Sequence, residues 1–197
     1  MSWKAEADDI AARRKLAEGM GGPEAIERQH SQGRLTVRER IESLIDKDSF
    51  QEVGKLAGKT TYEDGKLVSA VPSPYVGGLA NIAGRPVAIG GEDFTVRGGS
   101  SAGGDRRKGG QGGFVEDLAH QYRIPLVNLC DGAGGSVTSA KRRGYTTFPG
   151  VHSFGRSVQL LSEVPVVSAV LGTAAGGPAG RAIRSAECKQ PGPFPHH

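Results

Sequence analysis

Pro125-Leu126-Val127-Asn128-Leu129-Cys130-Asp131-Gly132-Ala133-Gly134-Gly135-Ser136 is the stretch whose reading decides the fold. Its first six residues form an apolar run short enough to be a buried strand, and the glycines that follow end it abruptly. The same construction returns at Val164 to Leu171, which runs into Gly172-Thr173-Ala174-Ala175-Gly176-Gly177-Pro178-Ala179-Gly180. Open α/β sheets bind ligands at the carboxyl ends of their strands, where both turns fall. A glycine pair entering a helix there leaves bare N–H groups facing outward, with no side chain obstructing an oxyanion or a phosphate. The same pairs also serve simply to let a strand turn tightly into a helix, and spacing alone does not choose between the two.

Working outward, Phe114, Val115, Leu118 and Tyr122 repeat at helical spacing through 111–123, and a second helix is predicted over 152–162. Upstream, β-type runs lie at 51–57, 75–82 and 86–91, the last two joined by Ala83-Gly84-Arg85 as in a tight hairpin with Pro86 opening the returning strand. The order β, β, α, β, α, β, α is that of a layered α/β domain. Before it, 5–20 and 23–31 read as polar surface helices, with Pro23 suited to a first turn. Thr36 and Glu39 have capping-box spacing, and Leu35, Ile41, Leu44 and Ile45 form an apolar stripe, which predicts a docking helix over 36–45. Residues 184–197 lose all periodicity, with three prolines in the last seven. The expected organisation is therefore a helical extension over 1–34, an α/β domain over 35–183 and an irregular tail over 184–197.

The 197 residues suffice for one sizeable core. The 31 glycines and 11 prolines exceed a fifth of the chain and collect in special loops around 98–113, 131–135, 172–180 and 191–195. A net charge of +4 favours anionic partners without selecting one. Cys130 and Cys188 lie far apart with no CxxC spacing, so neither a disulfide framework nor a zinc site is indicated, and no metal is expected. No apolar run approaches the roughly 18–20 residues of a membrane span, and Met1 to Arg14 lacks a secretion signal's apolar segment, so the expectation is a cytoplasmic protein.

Several side chains invite a chemical reading. Arg106-Arg107-Lys108 stands among the eight glycines of 98–113, a basic loop suited to phosphates, though neither a G-x-x-x-x-G-K-[ST] nor a G-x-G-x-x-G motif is present. Lys141-Arg142-Arg143 is a second basic run, read as a solvated helix face. Gly99-Ser100-Ser101-Ala102-Gly103 matches a nucleophile elbow centred on Ser101, but Gly104-Asp105-Arg106 does not open the helix that the elbow needs. His30, His120 and His152 are scattered and lack metal-like partners. A hydratase or thioesterase would want a carboxylate near the glycine turns, and Asp131 and Glu163 are the nearby candidates.

In order along the chain, Gln32-Gly33-Arg34-Leu35-Thr36-Val37-Arg38-Glu39-Arg40-Ile41, Gly91-Glu92-Asp93-Phe94-Thr95-Val96-Arg97-Gly98-Gly99-Ser100 and the two glycine turns resemble the carboxyltransferase (beta) subunits of biotin-dependent acyl-CoA carboxylases, the propionyl-, methylcrotonyl- and geranyl-CoA types. The resemblance covers about residues 24–183. It implies a crotonase-like (ClpP/crotonase) superhelix of ββα units, of which this chain matches an incomplete N-terminal carboxyltransferase domain. In the family, carboxybiotin on a separate carrier protein releases CO2, the biotin enolate removes the α-proton of the acyl-CoA, and the thioester enolate attacks CO2. The resemblance makes Gly176 and Gly177 the oxyanion hole for the thioester oxygen, with Gly134 and Gly135 lining the same site. Arg106, Arg107, Lys108 and Ala175 are the candidate CoA contacts. The implied partners are acyl-CoA, a C-terminal carboxyltransferase domain or full-length homologue, and a biotin carboxylase and carrier subunit in a family oligomer, with no nucleic acid and no membrane. The family's second oxyanion hole, for biotin, belongs to the C-terminal domain, so transfer by this chain alone is not expected. A non-catalytic CoA-binding or assembly module is the alternative. Two departures from the family stand out: Gly134-Gly135 lead into Ser136-Val137-Thr138 where many members have Ala-Arg-Ile-Gln-Glu, and Arg184 to His197 does not continue the family's apolar strand.

Overall fold

A computed structural model describes residues 3–100, 108, 113–135, 141, 144, 151–185 and 187–189. Two helices, α1 (Lys4–Glu18) and α2 (Pro23–His30), precede α3 (Val37–Glu42). The capping box is present in full: Glu39 N–H donates to Thr36 Oγ1, and Thr36 N–H returns to Glu39 Oε2 at 2.7 Å. α3 is shorter than the predicted 36–45. Ile41 is fully buried and Ile45 packs beside it, but Leu35 and Leu44 are about half exposed, so the stripe is narrower than its sequence implied.

The main sheet has six strands in the order β1-β4-β5-β6-β7-β8: β1 (Gln51–Glu52), β4 (Tyr75–Ile82), β5 (Arg85–Glu92), β6 (Leu126–Gly132), β7 (Val166–Ala174) and β8 (Glu187–Lys189). β1 and β5 run antiparallel to β4, whereas β5 through β8 are mutually parallel. The β4–β5 hairpin closes on Ala83 and Gly84, both at positive φ, and Asp46 accepts both of their N–H groups at 2.9 and 2.7 Å. Helices α4 (Phe114–Tyr122) and α5 (Val151–Leu161) bracket β6, giving the ββα succession expected.

Strand alternation divides the core. Ala88 and Leu126 join Val115 and Ala119 of α4 and Leu160 of α5 on one face, while Val87, Ile89 and Leu129 join Val37 and Ile41 of α3 on the other. β6, buried at every position but the half-buried Val127, is the middle of this sandwich, which is why its run lacks an apolar–polar alternation.

Three expectations need correcting. The run 51–57 yields only the two residues of β1. The chain then forms a separate hairpin, β2 (Gly58–Glu63) with β3 (Lys66–Pro72), that the sequence reading missed. Its Asp64-Gly65 loop, with both residues at positive φ, is the strongest short hairpin signal there is. Lastly, Glu187–Lys189, inside the segment expected to be irregular, pairs with β7 as β8, since a short parallel edge strand needs only its backbone and no side-chain periodicity. Among the described residues, no helix is long and apolar enough to cross a membrane.

Candidate functional site

β6 and β7 are parallel neighbours, so their carboxyl ends emerge together. The turn after β6 brings Gly134 to φ 79°, and the turn after β7 brings Gly176 to φ 60°, a conformation that side chains other than glycine's rarely adopt. The two turns touch. A Cβ on Gly134 would sit 3.0 Å from the Ala175 carbonyl oxygen, and one on Gly176 would sit 3.4 Å from the Gly134 Cα. Ala175 N–H donates to the Gly132 carbonyl at 3.0 Å, which fixes their mutual height. Helix α6 (Gly177–Ala182) starts at this junction, and its first-turn amides have no intrahelical acceptor, with Pro178 supplying none. Among the described residues, nothing lies within 4 Å of a Cβ built on Gly135, and the nearest atom to a Cβ on Gly177 would be an Arg181 nitrogen at 4.0 Å. Gly134, Gly135, Ala175, Gly176 and Gly177 therefore form one continuous glycine-rich surface.

A third segment supports it. The short turn Arg97–Gly99 follows β5, where Gly98 accepts from Ala133 N–H at 2.9 Å and Ser100 Oγ donates to the Gly134 carbonyl at 2.6 Å. Because a trans peptide sets its C=O and N–H on opposite sides, that bond turns the Gly135 N–H away from Ser100. Ser101, the elbow candidate, lies outside the described residues, as do Arg106, Arg107, Arg142 and Arg143.

Beneath the turns lie buried charges. Asp131, at the end of β6, receives Arg40 of α3 at 2.7 Å and Thr173 N–H at 3.1 Å. Gly172 leaves room for that carboxylate, since a Cβ there would fall 2.3 Å from Asp131 Oδ1. Glu92, at the end of β5, pairs with Arg181 of α6, and its other oxygen accepts from Asp131 N–H at 3.4 Å. Burial opposes the Arg181 charge, but Glu92, with smaller help from Tyr75 and Cys130, more than offsets it and pushes the guanidinium above its already high ordinary value.

These contacts correct the carboxylates considered for acid–base work. Asp131 is locked between Arg40 and Thr173. Glu163 precedes β7, at the opposite end of the strand from its glycine turn, and is engaged by His120, Arg123 and Gln159. Neither is unpartnered, and neither stands free at the turns. His30 is likewise engaged, with Glu39 at 3.0 Å.

Lys108 also differs from its expected part as a phosphate contact. Its side chain is 6% exposed, and its ammonium lies 2.7 Å from Glu52, which Arg38 also holds at 2.8 Å. Burial pushes the Lys108 ammonium below its ordinary value against the pull of Glu52. Sequence reasoning missed this cluster and also missed Arg40, Glu92 and Arg181. Arg40 and Glu92 sat inside quoted motifs, and a charged residue within a buried segment was the one available sign.

The match to known proteins follows the same elements. Residues 28–184 match the carboxyl transferase domain family. The chain belongs to that family. It is 33% identical over 174 residues to the methylmalonyl-CoA carboxyltransferase 12S subunit of Propionibacterium freudenreichii subsp. shermanii, and 35% identical over 173 residues to a putative propionyl-CoA carboxylase beta chain of Bacillus subtilis. Each alignment takes in 86% of this chain but 32% of the relative, so this carboxyl transferase domain chain spans about a third of the length of the curated relatives it matches. Among solved structures, a transcarboxylase 12S hexamer with methylmalonyl-coenzyme A bound superposes with TM-score 0.71 at 25% identity, over 96% of this chain and 36% of that one. A single-chain, multi-domain long-chain acyl-CoA carboxylase follows at 0.70 and 27% identity, over 94% of this chain and 19% of that one. The crotonase-like fold expected from the sequence is the fold of these carboxyltransferases.

Proposed function

We propose that this chain supplies the acyl-CoA half of a biotin-dependent carboxyltransferase. The observation that carries the reading is the contact between the two glycine turns at the carboxyl ends of β6 and β7. Amides of Gly176 and Gly177, with Gly135 across the junction, hold the thioester oxygen of an acyl-CoA. As the α-proton leaves, charge develops on that oxygen, and backbone donors already in place stabilise it without reorganising. Removing one such donor typically costs about 3–4 kcal/mol of barrier. Glycine at each position keeps the oxygen's approach clear, and Ser100 holds the Gly134–Gly135 peptide in its orientation. Ala175 borders the same surface, and Arg106 and Arg107 take the CoA phosphates.

Carboxybiotin on a separate carrier supplies the carboxyl group. The two glycine turns offer the thioester side of the reaction, and the biotin side falls to a C-terminal domain or a homologous subunit within an oligomer. The test is calorimetric binding of propionyl-CoA to the wild-type chain and to Gly177→Val, whose Cβ would meet nothing nearer than an Arg181 nitrogen at 4.0 Å and whose bulk is expected to crowd the thioester oxygen. Binding that weakens about tenfold or more in the variant supports the reading. A folded wild-type chain that binds no acyl-CoA overturns it, and equal binding by both proteins leaves a CoA-binding module whose grip is elsewhere.

A further inference from the structure

The geometry points to Glu92 and Arg181 as a positioning pair that sets the distance between the two glycine turns, an inference that rests on the oxyanion reading above. Glu92 is only 5% exposed and occupies the point where three turns converge. One carboxylate oxygen meets Arg181, which lies one helical turn beyond Gly177 on α6, and the other meets the Asp131 N–H at the start of the β6 turn. The surrounding backbone is shaped to admit it. A Cβ on Gly99 would come within 2.8 Å of the Glu92 Cβ, and one on Gly132 would come within 3.0 Å of its Cγ and 3.0 Å of Pro178 in α6. Glycine at 99 and 132 thus makes room for one carboxylate that reaches both turns.

A buried ion pair is weak evidence for stability, because desolvating two charges offsets most of their attraction, and an apolar pair of the same volume often does as well. What an apolar pair does not supply is direction. Arg181 meets Glu92 through one terminal guanidinium nitrogen, and a directed bond from that rigid planar group holds α6 at a set separation from β5. Gly177 sits on the first turn of that helix, so any slide or rotation of α6 carries its amide off the thioester oxygen, and the Gly134 contact with Gly176 opens with it. Arg181 and Glu92 touch no reacting atom in this scheme and act through the backbone they hold.

The experiment compares wild type with the double variant Glu92→Gln/Arg181→Met, which leaves no unpaired buried charge and keeps both volumes. Two quantities are read with the full chain: the ratio of dissociation constants for CoA and propionyl-CoA, and the infrared carbonyl band of bound propionyl-CoA labelled with 13C at the thioester. The expected result is CoA binding near the wild-type level, a thioester increment reduced about tenfold, and a carbonyl band returning toward its free position. A merely structural pair would move neither the ratio nor the band, and unchanged values in a folded variant overturn the inference. Should the double variant not fold, Arg181→Lys, which keeps the charge but carries it on a flexible stem without the rigid planar group, must show the same two changes in smaller measure, and wild-type values there overturn it. Should the wild-type chain bind no propionyl-CoA, the functional reading falls by itself. The pair is then judged by amide hydrogen exchange at Ala175 and Gly177, which must quicken about tenfold in the variant if the pair holds the turns together.

Discussion

Charged side chains meet in two regions of this molecule, but in opposite surroundings. At the carboxyl ends of the parallel strands, the Arg40 and Asp131 side chains are 9% and 1% exposed, and Glu92 and Arg181 are as deeply buried. On α1, Lys4 and Asp8 approach just as closely, at 2.7 Å, with side chains 78% and 65% exposed. The outlying β2–β3 hairpin, which packs on α1, is similar: Tyr62 donates to Asp9 at the surface, and Val68 and Val71 face solvent. Equal distances therefore carry unequal meaning. Where water is excluded, losing one partner strands the other; where water is present, it simply takes the partner's place.

The largest effect follows from stranding Arg40. Asp131→Ala is expected to destabilise the fold by about 3–5 kcal/mol, the range for breaking a buried pair from one side. Urea unfolding monitored by circular dichroism measures it. Arg40→Met/Asp131→Asn, which removes both charges at nearly unchanged volume and leaves an oxygen for the Thr173 N–H, is expected to recover most of that loss. If the single and double variants were equally unstable, the pair would matter for packing and not for charge, and the contrast between the two regions would weaken.

An intermediate effect belongs to Glu52, where three cations surround one carboxylate. Burial pulls this carboxyl upward, but Arg38 and Lys108 outweigh it and leave it below its ordinary value of 4.5. A depressed carboxyl contributes stability that is present above pH 4.5 and is lost as pH falls through the folded-state value. Glu52→Gln is expected to be less stable than wild type at pH 7 by about 1.5–3 kcal/mol, the span for hydrogen bonds to charged groups. The difference should narrow steadily below pH 4.5, read from melting temperatures between pH 7 and pH 3. A gap independent of pH would show that Glu52 acts by shape alone. The effect ranks below that of Asp131 because glutamine keeps an amide oxygen to which Arg38 and Lys108 can still donate, whereas alanine at 131 leaves Arg40 with no acceptor there.

The same contrast explains what could be read from the sequence. The glycine turns, the capping box at Thr36 and Glu39 and the β4–β5 hairpin are local, each written within a dozen residues, and all are present in the structure. The β2–β3 hairpin is equally local, and Asp64-Gly65 marks its turn, but its strands are exposed at most positions and so carry no buried apolar run. The buried charges were a different matter. Arg40 and Asp131 are separated by 91 residues, Glu92 and Arg181 by 89, and Lys108 and Glu52 by 56. No periodicity or motif joins residues so far apart, because the pairing exists only once the sheet has placed β5, β6 and α6 side by side. Lys108 read as a phosphate ligand for that reason: within its glycine-rich loop it is a bare cation, and Glu52 becomes visible only in the fold. The glycine junction itself was half legible, since each turn is local but their contact is not.

The smallest effect sharpens the comparison from the other side. Lys4 and Asp8 stand four residues apart on α1, with the cation on the N-terminal side, which is the weaker order for such a pair. Both side chains are largely hydrated, so ordering them offsets much of what their attraction contributes. Asp8→Asn is therefore expected to change unfolding free energy by less than about 0.5 kcal/mol, and raising the salt concentration should erase the difference. A loss of several kcal/mol at this exposed position would mean that close approach, and not burial, governs these pairs, and the ranking from Asp131 down would have to be abandoned.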